Sequence, residues 1–197
     1  MFATTSLRAA SRVLSARATA TRSMATIAVG DKIPSIELHK GFPPKLVNMA
    51  EFCSNKKVIL LGLPGAFTPT WSTKQIPHYK EHQDALRSAG IDAVVVWSVN
   101  DAAVMQAWAK DQKASVGLLQ FMGDPSSALT KALDVELTHP GPQGKGLFGR
   151  CKRHAIYVDN GVVKAVRISE KEDDPAGDAD PSATLADAML KAIEEAK

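Results

Sequence analysis

The chain has 197 residues, a formal net charge of +3, 45% hydrophobic residues and two cysteines. That length and apolar fraction fit one domain with an ordinary buried core, and no apolar run approaches a membrane span. Two cysteines without CxxC or zinc-like spacing exclude a disulfide framework and fit a reducing compartment.

The first stretch differs from the rest. Arg8, Arg12, Arg17 and Arg22 sit among Ala, Ser and Thr, and no acidic residue precedes Asp31. Residues 1–28 therefore read as an organelle transit peptide, mitochondrial or alternatively plastid, with residues 29–197 as the domain. A disordered basic tail is the plain alternative, and a start at Met24 would give a cytoplasmic chain without the signal. Without those four arginines the formal charge falls from +3 to −1. The basic character thus belongs to the leader and gives no argument for nucleic-acid binding.

Residues 32–38 alternate in polarity as a short edge strand, and Asn48 is placed to cap a brief helix carrying Met49 and Phe52. Residues 58–63 form a continuous apolar run bounded by charge and Pro-Gly, the pattern of a central buried strand. A helix follows Thr70, carries Ile76, Tyr79 and Leu86, and stops at Gly90; Pro77 should kink or interrupt its early turns. Residues 91–98 read as a second buried strand, with Asn100 or Asp101 capping the next helix. Residues 118–122 form a third strand, and Asp124-Pro125 is expected to open a helix with proline at its first position.

Residues 138–150 are rich in Gly and Pro and read as a loop. Residues 154–158 and 162–168 flank Asp159-Asn160-Gly161, a type I′ hairpin signal. An acidic loop spans 169–181, and residues 182–197 form an amphipathic helix with Leu185, Met189 and Ile193 at helical spacing. Alternating strands and helices followed by a hairpin and a last helix predict an α/β fold, a mixed central sheet with helices on both faces, as thioredoxin-like folds require.

The informative motif is Pro64-Gly65-Ala66-Phe67-Thr68-Pro69-Thr70-Trp71-Ser72, followed by Ile76-Pro77-His78-Tyr79. With Ser98-Val99-Asn100-Asp101, Trp108, Gly123-Asp124-Pro125 and Lys152-Arg153-His154-Ala155, it resembles the type II or type-5 peroxiredoxins from about Val29 to the C-terminus. The family pattern has cysteine where this chain has Trp71. A residue in the first turn of a helix lies among unpaired N–H groups at the positive end of the dipole, which would hold a cysteine as thiolate. Indole has one N–H donor and no nucleophilic heteroatom.

The resemblance implies thiol-dependent reduction of hydrogen peroxide and organic hydroperoxides. It also implies glutaredoxin with glutathione, or thioredoxin, as reductant, a homodimer packed through the active-site end, and no cofactor or metal. By the same resemblance Thr68 and Arg153 hold the thiolate and peroxide oxygens and Pro64 shields the site. Each has a plainer reading: Thr68 as a turn residue, Arg153 as half of an ion pair, Pro64 as a strand terminator. Trp71 at the position of the reacting cysteine implies that the chain lacks peroxidase activity as written. A natural change, an engineered one and a sequence error all fit, since the two codons differ by one base. The alternative is a thioredoxin-fold binding protein, or a partner of an active paralogue, with the aromatic as contact anchor.

Cys53 is expected to pack as a small apolar residue. Cys151 would share a face with Arg153 if the strand already ran there, and the cation would then lower its pKa. His78 and His82 have the spacing that can present two imidazoles to one metal, but with no third ligand nearby they read as a solvated helix face.

Overall fold

Val58, Ile59, Leu60 and Leu61 are apolar in succession and all fully buried, because their strand is covered on both faces. In the computed structural model, which describes residues 26–196, that strand lies inside a seven-stranded mixed sheet. The strands are β1 (Glu37–Lys40), β2 (Lys45–Asn48), β3 (Lys57–Gly62), β4 (Ala93–Ser98), β5 (Leu119–Gly123), β6 (Arg153–Asp159) and β7 (Val162–Ser169). Their order is β2-β1-β5-β4-β3-β6-β7. The pairs β3–β4 and β4–β5 are parallel, and the outer pairs are antiparallel. The fold is the α/β, thioredoxin-like one expected from the sequence. The alternative start at Met24 and residues 1–25 of the proposed 1–28 leader lie outside the described residues. Within the rest of that leader, Ile27 is buried in the core and its N–H donates to Leu133 O, so this residue packs with the domain.

Strand alternation divides the core into two layers. Ile59, Leu61, Val94, Val96, Ala155 and Tyr157 face one way. They pack under α2 (Ile76–Glu81), α3 (Gln83–Ser88), α4 (Ala102–Asp111) and α7 (Ala186–Glu195) through Tyr79, Leu86, Trp108 and Met189. Val58, Leu60, Val95, Trp97 and Ile156 face the other way, against Met49 of α1 (Met49–Phe52) and Leu129 of α5 (Ala128–Ala132).

Local signals account for most boundaries. Asn48 Oδ1 accepts from the N–H groups of Ala50 and Glu51, and Asp101 caps α4 at Val104 N. Asn160 and Gly161 have φ of 49° and 74°, as a type I′ turn demands. Pro77 divides the long helical stretch: a π-helical turn spans Trp71–Gln75, and α2 starts just before the proline.

The start of α5 differs from expectation. Asp124-Pro125 forms a turn, Ser127 takes φ 55°, and the Asp124 carboxylate reaches forward to accept from Ala128, Leu129 and Thr130 N–H. The segment 138–150 also holds a short helix, α6 (Pro140–Gly144).

Candidate active-site loop and pocket

The site grows from the end of β3. A Cβ on Gly62 would run into the His154 imidazole, so glycine lets the strand pass that ring. Leu63 N donates to Trp97 O at 3.0 Å, and Pro64, which has no N–H, ends the ladder. Beyond it the loop is pinned at two points. Asn100 Oδ1 accepts from Ala66 N at 2.8 Å and from the Ser98 hydroxyl at 3.0 Å. Trp108 Nε1 donates to Ser72 Oγ at 3.1 Å. Between the pins Phe67 takes a left-handed φ of 59° and stands half exposed. Trp71 is the first residue of the π-helical turn.

Of the sequence-selected residues, Pro64, Thr68 and Trp71 stand in this loop, whereas Arg153 is not among the residues lining its pocket. Pro64 is buried, and Thr68 Oγ1 donates to Gly65 O at 2.9 Å, closing the turn on itself. Arg153 begins β6 and is fully buried on the sheet face that carries α2, alternating with Ala155 and Tyr157. Its Nη2 lies 3.5 Å from Asp178 of the acidic loop. Burial pushes the guanidinium down to about 10, opposed by Asp178, Asp174 and Asp180. Pro64 and Thr68 line an open pocket of about 350 Å³, together with Leu137, Arg150 and Asp174 among others. Arg150 was not singled out by the sequence; nothing local distinguishes it from a surface arginine.

The two cysteines lie elsewhere. Cys53 follows α1, is fully buried in the layer away from the loop, and burial pushes its thiol up to about 12. Cys151 precedes β6, in an isolated bridge with Glu136, so it does not share a face with Arg153. Its thiol donates to Leu63 O at 3.3 Å. Burial, reinforced by Asp124, drives its pKa upward rather than down.

His78 and His82 stack at 4.2 Å between ring centroids. His78 Nδ1 accepts from Ala186 N at 3.2 Å and so caps α7, a role the sequence does not reveal.

With this geometry in hand, the comparisons decide the family. The Redoxin family pattern matches residues 28–185. The chain is a peroxiredoxin-family protein. It is 41% identical over 156 residues to Peroxiredoxin-2E-2, chloroplastic, of Oryza sativa subsp. japonica, covering 75% of this chain and 67% of that one. It is 41% identical over 170 residues to Peroxiredoxin-2E, chloroplastic, of Arabidopsis thaliana, covering 81% and 71%. Among solved structures it resembles reduced Prx3 in complex with hydrogen peroxide from Vibrio vulnificus, with TM-score 0.73 and 32% identity over 86% of this chain and 97% of that one. Peroxiredoxins are antioxidant thiol peroxidases of redox homeostasis, and this peroxiredoxin shares their thioredoxin fold.

Defining the chain by Trp71, and inferring from that residue alone that peroxidase function is lost, does not stand. The likeness to peroxiredoxins runs through the whole domain, and the chain carries two cysteines, Cys53 and Cys151. Its thiol chemistry is a question about those two residues and not about position 71.

Proposed function

We propose that this peroxiredoxin serves peroxide and thiol metabolism chiefly by association, presenting its loop and pocket to a thiol reductant or to an active paralogue. The observation that carries the reading is the complete burial of both thiols, each outside the pocket lined by Pro64 and Thr68. A buried thiol with raised pKa is protonated at neutral pH and is a poor nucleophile. Meanwhile the molecule exposes Phe67 on the loop and Phe148 on the segment that borders the pocket, at 50% and 66%. Exposed aromatics of this kind suit contact anchors.

In this reading Pro64, Thr68, Arg153 and the start of the helix at Trp71 form the recognition site. Peroxides enter the pocket, glutaredoxin with glutathione or thioredoxin is the thiol partner, and a homodimer uses the same end. The leader's composition fits either organelle, and the two chloroplastic relatives favour a plastid over a mitochondrial location.

A second reading is direct peroxide reduction through Cys151, favoured by its contact with Leu63 O just beneath the loop. One experiment separates the two. Light scattering on the chain alone and mixed with an active peroxiredoxin should show a complex that Phe67→Ser with Phe148→Ser abolishes. Peroxide consumption with thiol reductant is followed in parallel for the chain, Cys53→Ser and Cys151→Ser. A chain that stays monomeric both alone and in the mixture sinks the association reading; turnover lost only in Cys151→Ser establishes the second.

A further inference from the structure

The pocket is far larger than the smallest peroxide needs. At about 30 Å³ for a water-sized group, its roughly 350 Å³ takes about ten to twelve heavy atoms. Pro64, Leu137, Pro142 and Leu147 give it an apolar lining. The charged groups are unequally committed.

Asp174 accepts from the N–H groups of Asp178 and Ala179 at 2.8 Å, so both its oxygens hold the loop together. Asp178 faces the buried Arg153. Arg150 and Lys145 also line the pocket, and neither forms an ion pair among the described residues. Arg150 is half-buried and lies directly over Gly65, where a Cβ would run into its Nη1.

A guanidinium partly removed from water, without a counter-ion and beside an apolar wall, favours an anion. Its paired N–H groups match a carboxylate. We propose that Arg150, aided by Lys145, makes this pocket a site for amphiphilic carboxylates: a carboxylate head on the guanidinium and an apolar body of about eight carbons along Pro64, Leu137 and Leu147. The inference deepens the pocket reading above by naming the class of molecule, and hydroperoxides bearing a carboxylate are the substrates it selects. Arg150 is then a specificity-determining residue, with Gly65 there because any side chain would displace the guanidinium.

Direct binding tests this without reference to turnover or association. Octanoate, octan-1-ol and octylamine are titrated calorimetrically into the full chain. Octanoate should bind about tenfold or more tighter than octan-1-ol, the worth of a charge-assisted contact, and octylamine weakest. Arg150→Gln should bring octanoate to the level of the alcohol. Gly65→Ala should weaken it while leaving every charge in place, and Lys110→Gln, in a different groove, should change nothing. If Arg150→Gln fails to fold, the selectivity of the unaltered chain and its loss in the exposed Lys145→Gln decide. Equal binding of octanoate and octan-1-ol overturns the proposal, as does unchanged octanoate binding in folded Arg150→Gln. Octanoate selectivity in a chain that never associates leaves it intact and refutes only the association reading.

Discussion

His154 shows how one side chain can set the acid limit of the fold. The imidazole is fully buried, its Nδ1 is 2.8 Å from Lys152 O, and its edge meets Trp97 at 5.3 Å between ring centroids. Burial lowers its pKa from 6.5 to about 4. A histidine held neutral in the fold binds its proton more readily when unfolded. Its contribution is therefore complete above pH 6.5 and is lost as pH falls toward 4. A shift of that size corresponds to about 3 kcal/mol. His78, also lowered by burial and then by His82, acts in the same direction. Chemical denaturation at a series of pH values should show stability falling through that interval. His154→Phe should flatten the fall, and an unchanged slope would contradict the assignment.

At the same level, Arg150 illustrates what a sequence hides. Pro64, Thr68 and Arg153 can be picked out as candidates because they stand in motifs. Arg150 gains its meaning only when segment 138–150 folds back over Gly65, a long-range event with no local signature.

Among the elements, α7 carries a division of labour worth testing. Leu185 stands at its N-cap with no side-chain hydrogen bond, and His78 of α2 supplies the acceptor instead. Met189 and Ile193 bury its apolar face. His78→Ala should cost about 1 kcal/mol, the usual worth of a cap. Met189→Ala should cost about 2–5 kcal/mol, since it opens a cavity in the core. Urea melts of both variants check the ranking, and a costlier loss at His78 would reverse the view that packing holds this helix.

The helix was legible from its apolar spacing; its cap was not, because the acceptor comes from a distant helix. The hairpin β6–β7 was equally clear, since Asn-Gly demands the positive φ values found there. By contrast β2 escaped notice: it has four residues, and Lys45 and Leu46 are exposed at the sheet edge, so no bounded apolar pattern announces it. The start of α5 misled for a related reason. Asp-Pro is a common cap and first-turn pair, yet the carboxylate here acts from four residues ahead of the first N–H it accepts.

In the molecule as a whole, the sheet separates two kinds of chemistry. The loop, Arg153 and the helices that frame them lie toward one face, and both cysteines belong to the layer on the other. The layout was foreseeable from the alternation of strands and helices, and the relatives share it. The allotment of each cysteine to a layer was not, because it depends on whether β6 begins at 151 or 153.

Alkylation of the native chain near neutral pH, with each modified site located by mass spectrometry, bears most directly on the role of the thiols. Both Cys53 and Cys151 should react only as fast as the protein opens, and promptly once it is unfolded. Rapid modification of either residue in the folded chain would contradict the association reading and make that thiol the centre of peroxide chemistry.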